Sequence, residues 1–275
     1  MKGEFEDRFL TVNGLRLHYV EWSSGPGEAG AGGGGAMVLL HGVTDNCRLW
    51  DHVARSFRGE YRVLALDQRG HGDSDWSKDG AYASTDLASD LSAFFDALGL
   101  RDAVLIGLSW GGLAGLLHAA ARPETVRRLV MVDIGCAFDE AETAVPDRPL
   151  EFADEQALEA YERSANPFPA LWTLRPRARA SVREAGGRLV RKHDPFFAER
   201  WPFRAMTYWD AARRVACPTL LLRGAHSFVL SREMAERTAG AIPDCRWVEI
   251  PHAAHLIPLD NPPAFEAEVR KFLAG

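Results

Sequence analysis

Short apolar runs alternate with helical patterns along most of this chain. The runs Met37–Leu40, Arg62–Asp67, Ala103–Leu108, Arg128–Asp133, Pro218–Gly224 and Arg246–Pro251 are largely hydrophobic and show little polar alternation. Strands of that kind are buried on both faces, the mark of a parallel sheet covered by helices. Between them, Leu87, Leu91, Phe94, Phe95 and Leu98 form one apolar stripe at helical spacing, with Ser84 or Thr85 placed to cap it and Gly99 to stop it. Leu113–Arg122 reads as a second helix, hydrophobic almost throughout and stopped by Pro123, and Pro263–Ala274 as a last one. The start differs. Phe9–Val12 and Leu15–Trp22 are β-prone runs joined by Asn13-Gly14, the strongest short hairpin signal, so the chain opens with an antiparallel pair.

Two stretches interrupt this order. Residues 25–35 are glycine-rich and read as a surface loop; the GxGxxG spacing at Gly30, Gly32 and Gly35 leads into a strand instead of following one, which argues against a dinucleotide fingerprint. Residues 137–216 turn polar, helical, rich in aromatics and punctuated by proline. A structureless loop of that length does not suit a compact domain, so the stretch is expected to be a helical cap inserted between core segments 1–136 and 217–275.

Composition narrows the function. The 275 residues are 47% hydrophobic and 25% charged, enough apolar material for one large packed domain. With 32 Lys and Arg against 38 Asp and Glu the net charge is -6, which speaks against a nucleic-acid partner. The opening MKGEFEDRFL has no apolar signal core, and no run reaches the roughly 18 apolar residues of a membrane span, so a cytoplasmic protein with no membrane partner is expected, as a monomer or homodimer. Cys47, Cys136, Cys217 and Cys245 lack metal-site spacing and read as reduced apolar residues.

The chemistry concentrates in Gly107-Leu108-Ser109-Trp110-Gly111, which directly follows one apolar strand and precedes a helix. A serine on so sharp a strand-to-helix turn sits in strained backbone, and glycine two residues before and after lets strand and helix approach. The turn pushes the hydroxyl out of the sheet while the first helix amides point at it, a favourable site for developing negative charge. A second signal is Leu40-His41-Gly42-Val43 at a strand end. There Gly42 permits a turn that aims the next amide inward, so Val43 and Trp110 can form an oxyanion hole from their backbone N–H groups. His41 is read as packing within the turn.

Taken together, His41-Gly42, the run Asp67-Gln68-Arg69-Gly70-His71-Gly72-Asp73-Ser74, the GLSWG elbow and Ala254-His255-Leu256-Ile257-Pro258-Leu259-Asp260-Asn261-Pro262 resemble the α/β-hydrolase fold superfamily over nearly the whole chain, most of all its small cap-bearing serine hydrolases, which include esterases, lactonases and carbon–carbon bond hydrolases. The resemblance implies an α/β fold with a mostly parallel eight-stranded sheet, helices on both faces and a helical cap. It also implies that His255 is the general base, in preference to His252, since an imidazole accepts and returns protons near neutral pH.

The third triad member departs from the common pattern. Relatives carry it in a segment reading Arg-Gly-x-x-Ser-Asp, whereas here Arg223-Gly224-Ala225-His226-Ser227 is followed by Phe228. Some relatives place the acid after the preceding strand, where Asp133 stands, and Asp133 is expected to orient His255; the alternative is a carboxylate spent on nearby loop amides. Arg69 and Asp73 are expected to pair locally in a structural turn. Phe138, Phe168, Trp172, Trp201 and Phe228 are expected to line the pocket, with the Trp110 ring beside the nucleophile, which favours a hydrophobic or aromatic small-molecule substrate.

The implied activity is hydrolysis of an ester, thioester or lactone through an acyl-serine, with no metal and no organic cofactor called for. Two alternatives stay open: a carbon–carbon hydrolase or non-hydrolytic enzyme using the same pocket, motivated by Phe228, and a ligand-binding protein that kept the fold without turnover.

Overall fold

The structure is a computed structural model that describes residues 4–22, 35–137, 148–200, 202 and 207–275. Of the expected pocket residues, Phe138 and Trp201 lie outside these described residues, as does most of the glycine-rich loop.

The expected opening hairpin is present: β1 (Phe5–Val12) pairs antiparallel with β2 (Leu15–Trp22), with Val12 opposite Leu15 and both turn residues at positive φ. The chain continues through β3 (Ala36–Leu40), α1 (Asp51–Phe57), β4 (Arg62–Leu66), α2 (Ser84–Leu98), β5 (Ala103–Leu108), α3 (Trp110–Ala121) and β6 (Val126–Val132). After an intervening segment it resumes at β10 (Thr219–Gly224), α8 (Arg232–Ala241), β11 (Cys245–Ile250), α9 (Ile257–Asp260) and α10 (Pro262–Ala274). Eight strands form one sheet in the order β1-β2-β4-β3-β5-β6-β10-β11; β1, β2 and β4 meet antiparallel and the remaining pairs are parallel.

The continuous apolar runs have the meaning read from them. In β3, Val38 and Leu40 join the core beneath α2 and α3, while Met37 and Leu39 join the core beneath α1 and α10. β5 divides in the same way, Leu105 to one side and Val104 and Ile106 to the other. Every side chain of β3 and β5 is therefore removed from water, worth roughly 1.5–3 kcal/mol for each fully buried aliphatic residue.

The segment between β6 and β10 departs from expectation. It holds β7 (Glu151–Phe152), α4 (Glu155–Ala165), α5 (Leu171–Ala180), β8 (Val182–Ala185), β9 (Arg188–Arg191), α6 (Phe196–Glu199) and α7 (Trp209–Ala212). Helices are present, but so is a three-stranded antiparallel sheet ordered β7-β9-β8. The physical reason is Gly186-Gly187, both at positive φ, which turn β8 back onto β9 as a tight hairpin. Phe152, Leu158, Ala178, Val182 and Leu189 give this insertion a small core of its own.

The Arg69–Asp73 pair does not form. Arg69 reaches Asp90 on α2 with Nε and a terminal nitrogen at 2.6 and 2.7 Å, and Asp73 instead accepts from Lys192 at 2.7 Å. Both partners, Asp90 for Arg69 and Lys192 for Asp73, come from other parts of the chain, so short-range spacing could not reveal them.

Candidate active site

Ser109 sits between β5 and α3 at φ 53° and ψ -121°, the strained turn its glycine frame implies. The frame is a matter of contact. A Cβ on Gly107 would lie 2.3 Å from the carbonyl oxygen of Gly111, and one on Gly111 would lie 2.6 Å from that of His41. Strand, elbow and neighbouring loop therefore touch backbone to backbone. The hydroxyl-bearing residue is 3% exposed and lines a cavity of about 570 Å³.

Asp133 follows β6, fully buried and at φ 52°. One carboxylate oxygen accepts from the backbone N–H of Gly224 at 3.0 Å; the other accepts from the Ser227 hydroxyl at 2.6 Å and from Nδ1 of His255 at 2.8 Å. The carboxylate is thus bonded both to the amide at the end of β10 and to the imidazole. The sequence reading missed Ser227. Its hydroxyl donates to Asp133 and accepts from the amides of Val229 and Leu230, so the loop carrying Phe228 is folded around the carboxylate.

His255 reaches this position because β10 ends in Gly224. A Cβ there would fall 1.9 Å from the carbonyl oxygen of Ala254, the residue before His255. The same loop is tied down from the other side by Asp260, which accepts from the Ala254 amide at 2.8 Å and from the Asn166 side chain at 2.7 Å. Gly224→Ala is expected to lower the melting temperature by several degrees, since overpacking costs about 1–3 kcal/mol or more, and to cut turnover because the loop must shift. An unchanged melting curve and rate would show that the loop has slack.

With Nδ1–H donated to Asp133, the Nε2 lone pair of His255 is the one left to act as a base. Ser109 and His255 line the same cavity, yet among the described residues no hydrogen bond joins hydroxyl to ring. Such contacts are often long before substrate binds and tighten in the reacting complex.

Two buried histidines hold the turn that carries Val43. His41 Nδ1 donates to the carbonyl of Gly42 at 2.6 Å, and its Nε2 accepts from the Gln68 amide at 3.1 Å. His71 Nδ1 donates to the Arg69 carbonyl at 2.8 Å, and its Nε2 accepts from the Thr44 amide at 2.9 Å. Both arrangements require the neutral imidazole, and burial pushes both pKa values down, His71 well below its usual value. A Cβ on Gly42 would stand 3.2 Å from that of Ser109, so the Val43 amide follows a residue in contact with the elbow.

This dependence on neutral histidines predicts acid sensitivity. His193 and His118 are also held down, to about 4, burial being the main cause in each. Between pH 6.5 and 4 the unfolded chain binds protons at these sites and the folded chain does not, so stability is full above 6.5 and falls as pH drops, on the order of 2 kcal/mol for each such group by pH 5. His18 opposes this: against its burial, Asp67 raises its pKa, so its contribution is full at low pH and is lost as pH rises. Asp51, pushed up to about 6, and Asp260, also pushed up, both chiefly by burial, oppose this loss in the same way, and the four depressed histidines outnumber these three groups. The melting temperature is expected to be at least roughly 5 °C lower at pH 5 than at pH 7.5, and an equal or higher value at pH 5 contradicts this balance.

Among the expected pocket residues, Phe168 and Phe228 line the cavity. Phe168 stacks on His226 at 5.2 Å, and Phe228, 81% exposed, stands at the mouth with its ring 6.0 Å from that of His255. Trp172 is placed elsewhere, 59% exposed with its ring against His52 and outside the cavity lining. The Trp110 ring is also turned away from the cavity. It is fully buried, donates to Ser84 at 3.1 Å and packs near Phe197.

The cavity is less apolar than expected. Its insertion-side wall carries Arg148, Arg177 and Arg191 with Asp45 and Glu162. Arg177 forks onto Asp45 at 3.0 and 3.1 Å and reaches Glu162 at 2.5 Å, and Arg191 reaches the other Glu162 oxygen at 2.8 Å. Sequence spacing gave no signal, because these groups meet only when α4, α5 and β9 fold onto the loop after β3.

Outside the cavity, His18, Cys47 and Asp67 bring candidate metal-ligating atoms within 4.8 Å of one another. Asp67 is already occupied there by the amides of Cys47 and Asp73 and by His18, and the burial that pushes the Cys47 thiol up disfavours the thiolate a metal needs. No described helix is long and apolar enough to cross a membrane.

A sheet of this order, with a serine elbow after one parallel strand and a histidine loop after the last, defines an α/β hydrolase. Residues 35–262 match the family model for the alpha/beta hydrolase fold, and the chain belongs to that family. It is 28% identical over 259 residues to 2-(acetamidomethylene)succinate hydrolase of Mesorhizobium japonicum, a match covering 92% of this chain and 90% of that protein. A crystal structure of E-2-(acetamidomethylene)succinate hydrolase superimposes with a TM-score of 0.85 at 25% identity, covering 98% of this chain and all of the other. Epoxide hydrolase 4 of Mus musculus is 39% identical over 122 residues, which is 44% of this chain but only 32% of that protein.

Proposed function

We propose that this protein is a serine hydrolase that cleaves an ester, thioester or lactone of a small molecule through an acyl-Ser109 intermediate. The observation that carries the reading is the 2.8 Å bond from His255 to a buried Asp133, made at the wall of the cavity into which the Ser109 elbow opens. In this reading His255 Nε2 takes the Ser109 proton as the oxygen attacks the carbonyl carbon. The tetrahedral oxyanion accepts from the amides of Val43 and Trp110, the leaving group departs with the proton held by His255, and water then repeats the sequence to release the acid. Asp133 holds the ring in the productive tautomer and stabilises its charged form.

The apolar part of the substrate lies against Ile134, Phe168, Val229 and Leu256. The insertion acts as the cap, and Ser109 in place of a carboxylate nucleophile separates this site from epoxide opening. The bond from Asp133 to His255 supports an acid supplied from the other strand in a chain that carries Phe228 at the usual position. Rapid mixing with p-nitrophenyl butyrate is expected to release a burst of nitrophenolate stoichiometric with enzyme before the slower steady state, provided deacylation is the slower step. A saturating rate of nitrophenolate release that disappears in Ser109→Ala also carries the reading, whereas release unaffected by that substitution refutes it.

A further inference from the structure

The insertion-side wall of the cavity gathers three arginines. Arg177 and Arg191 are locked into a frame with Asp45 and Glu162, with Arg191 also donating to Ser181 at 2.6 Å and lying 4.8 Å over the Phe152 ring. Arg148 lines the same cavity and donates to the hydroxyl of Thr44, the residue next to Val43 in the turn that supplies an oxyanion amide. Its guanidinium is thus bonded to the residue that follows Val43, on the wall of the cavity that Ser109 also lines. Among the described residues, three arginines face two carboxylates on this wall, Arg177 and Arg191 being paired with Asp45 and Glu162, so the wall carries one cation in excess. Tyr161 brings a phenol hydroxyl to the same wall. A planar guanidinium and a phenol on one cavity wall match a carboxylate, which accepts paired N–H and O–H bonds.

We infer that Arg148 binds a carboxylate carried on the acyl part of the substrate, a few bonds from the carbonyl that Ser109 attacks. The substrate class is then an acidic ester, thioester or lactone, bearing a negative charge at the cap wall and an apolar face toward Phe168 and Leu256. This deepens the serine-hydrolase reading and rests on it for the position of the carbonyl, though not for the binding of the anion.

Two measurements separate the claims. The first compares kcat/KM for p-nitrophenyl hydrogen succinate and its neutral methyl ester in the wild type, Arg148→Met and Arg148→Lys, with melting curves confirming that each variant is folded. The wild type is expected to favour the charged ester more than 10-fold, and Arg148→Met to lose on the order of 10²-fold on it with the neutral ester within a few-fold. Arg148→Lys falls between them, keeping charge but losing the fork. Equal losses on both esters assign Arg148 to positioning the Thr44 turn and overturn the proposal, as does a wild-type preference for the neutral ester. The second measurement is calorimetric binding of succinate to wild type and Arg148→Met, which needs no turnover. Binding weakened at least 10-fold in the variant upholds the anion subsite even if neither ester is cleaved, in which case the hydrolase reading alone falls. No binding of succinate to the wild type overturns the subsite whatever the esters show.

Discussion

Turnover of p-nitrophenyl butyrate by Ser109→Ala is expected to fall by about 10⁶, to the level that oxyanion stabilisation and binding alone provide. Size sets this prediction apart. A residue that only shapes the pocket costs tens of fold, whereas removing the attacking atom leaves no route to the acyl intermediate. The fold should survive, because the substitution deletes one oxygen from a 3% exposed side chain while the glycine frame around the elbow remains. Unaltered circular dichroism and melting, with the rate lost, is the expected pair of results. A rate within 10-fold of wild type removes Ser109 from the chemistry.

Asp133→Asn is expected to lower kcat by about 10⁴, roughly 5.5 kcal/mol in barrier. One oxygen of Asp133 accepts from both His255 and Ser227, and the other from Gly224. An amide offers a single oxygen for these two faces. If the oxygen stays on Gly224, the new NH2 points at His255 Nδ1 and drives the ring into the tautomer whose Nε2 carries hydrogen and cannot take the serine proton. If the amide turns over, its NH2 opposes the Gly224 amide and opens the end of β10. Either arrangement is costly, so some stability is lost too, and kcat should be compared at a temperature where the variant is fully folded. Hydrolysis within 10-fold of wild type would mean that a different group orients His255.

Much of the core was legible because it is written in local signals. Two-sided burial makes the strands continuous in hydrophobicity, Asn13-Gly14 fixes the opening turn, and the two glycines around Ser109 reflect backbone contacts that a single Cβ would break. Asp133 was expected only through the resemblance, in which some relatives carry the acid after the preceding strand, and the hydrogen bond from Ser227 to it had no sequence signal. A serine directly before Phe228 says nothing until the loop closes around the acid.

The insertion was read less well. Its β8–β9 hairpin carries a local cue, Gly186-Gly187 between Val182–Ala185 and Arg188–Arg191, that a reading from the polar, helical composition of the whole stretch passes over. Aromatic residues were assigned to the pocket by type, and type does not fix direction: Trp172 faces solvent and His52, and the Trp110 ring faces Ser84. The arginine wall was invisible because its members are contributed by separated segments and their carboxylates come from yet others.

Covalent capture tests the central claim most directly. The wild type is incubated with a fluorophosphonate, its intact mass is measured, and the modified peptide is located by fragmentation. The account predicts one adduct per chain, on the oxygen of Ser109, formed slowly or not at all when His255 is replaced by alanine. An unmodified wild-type chain, or an adduct on any other residue, would contradict it.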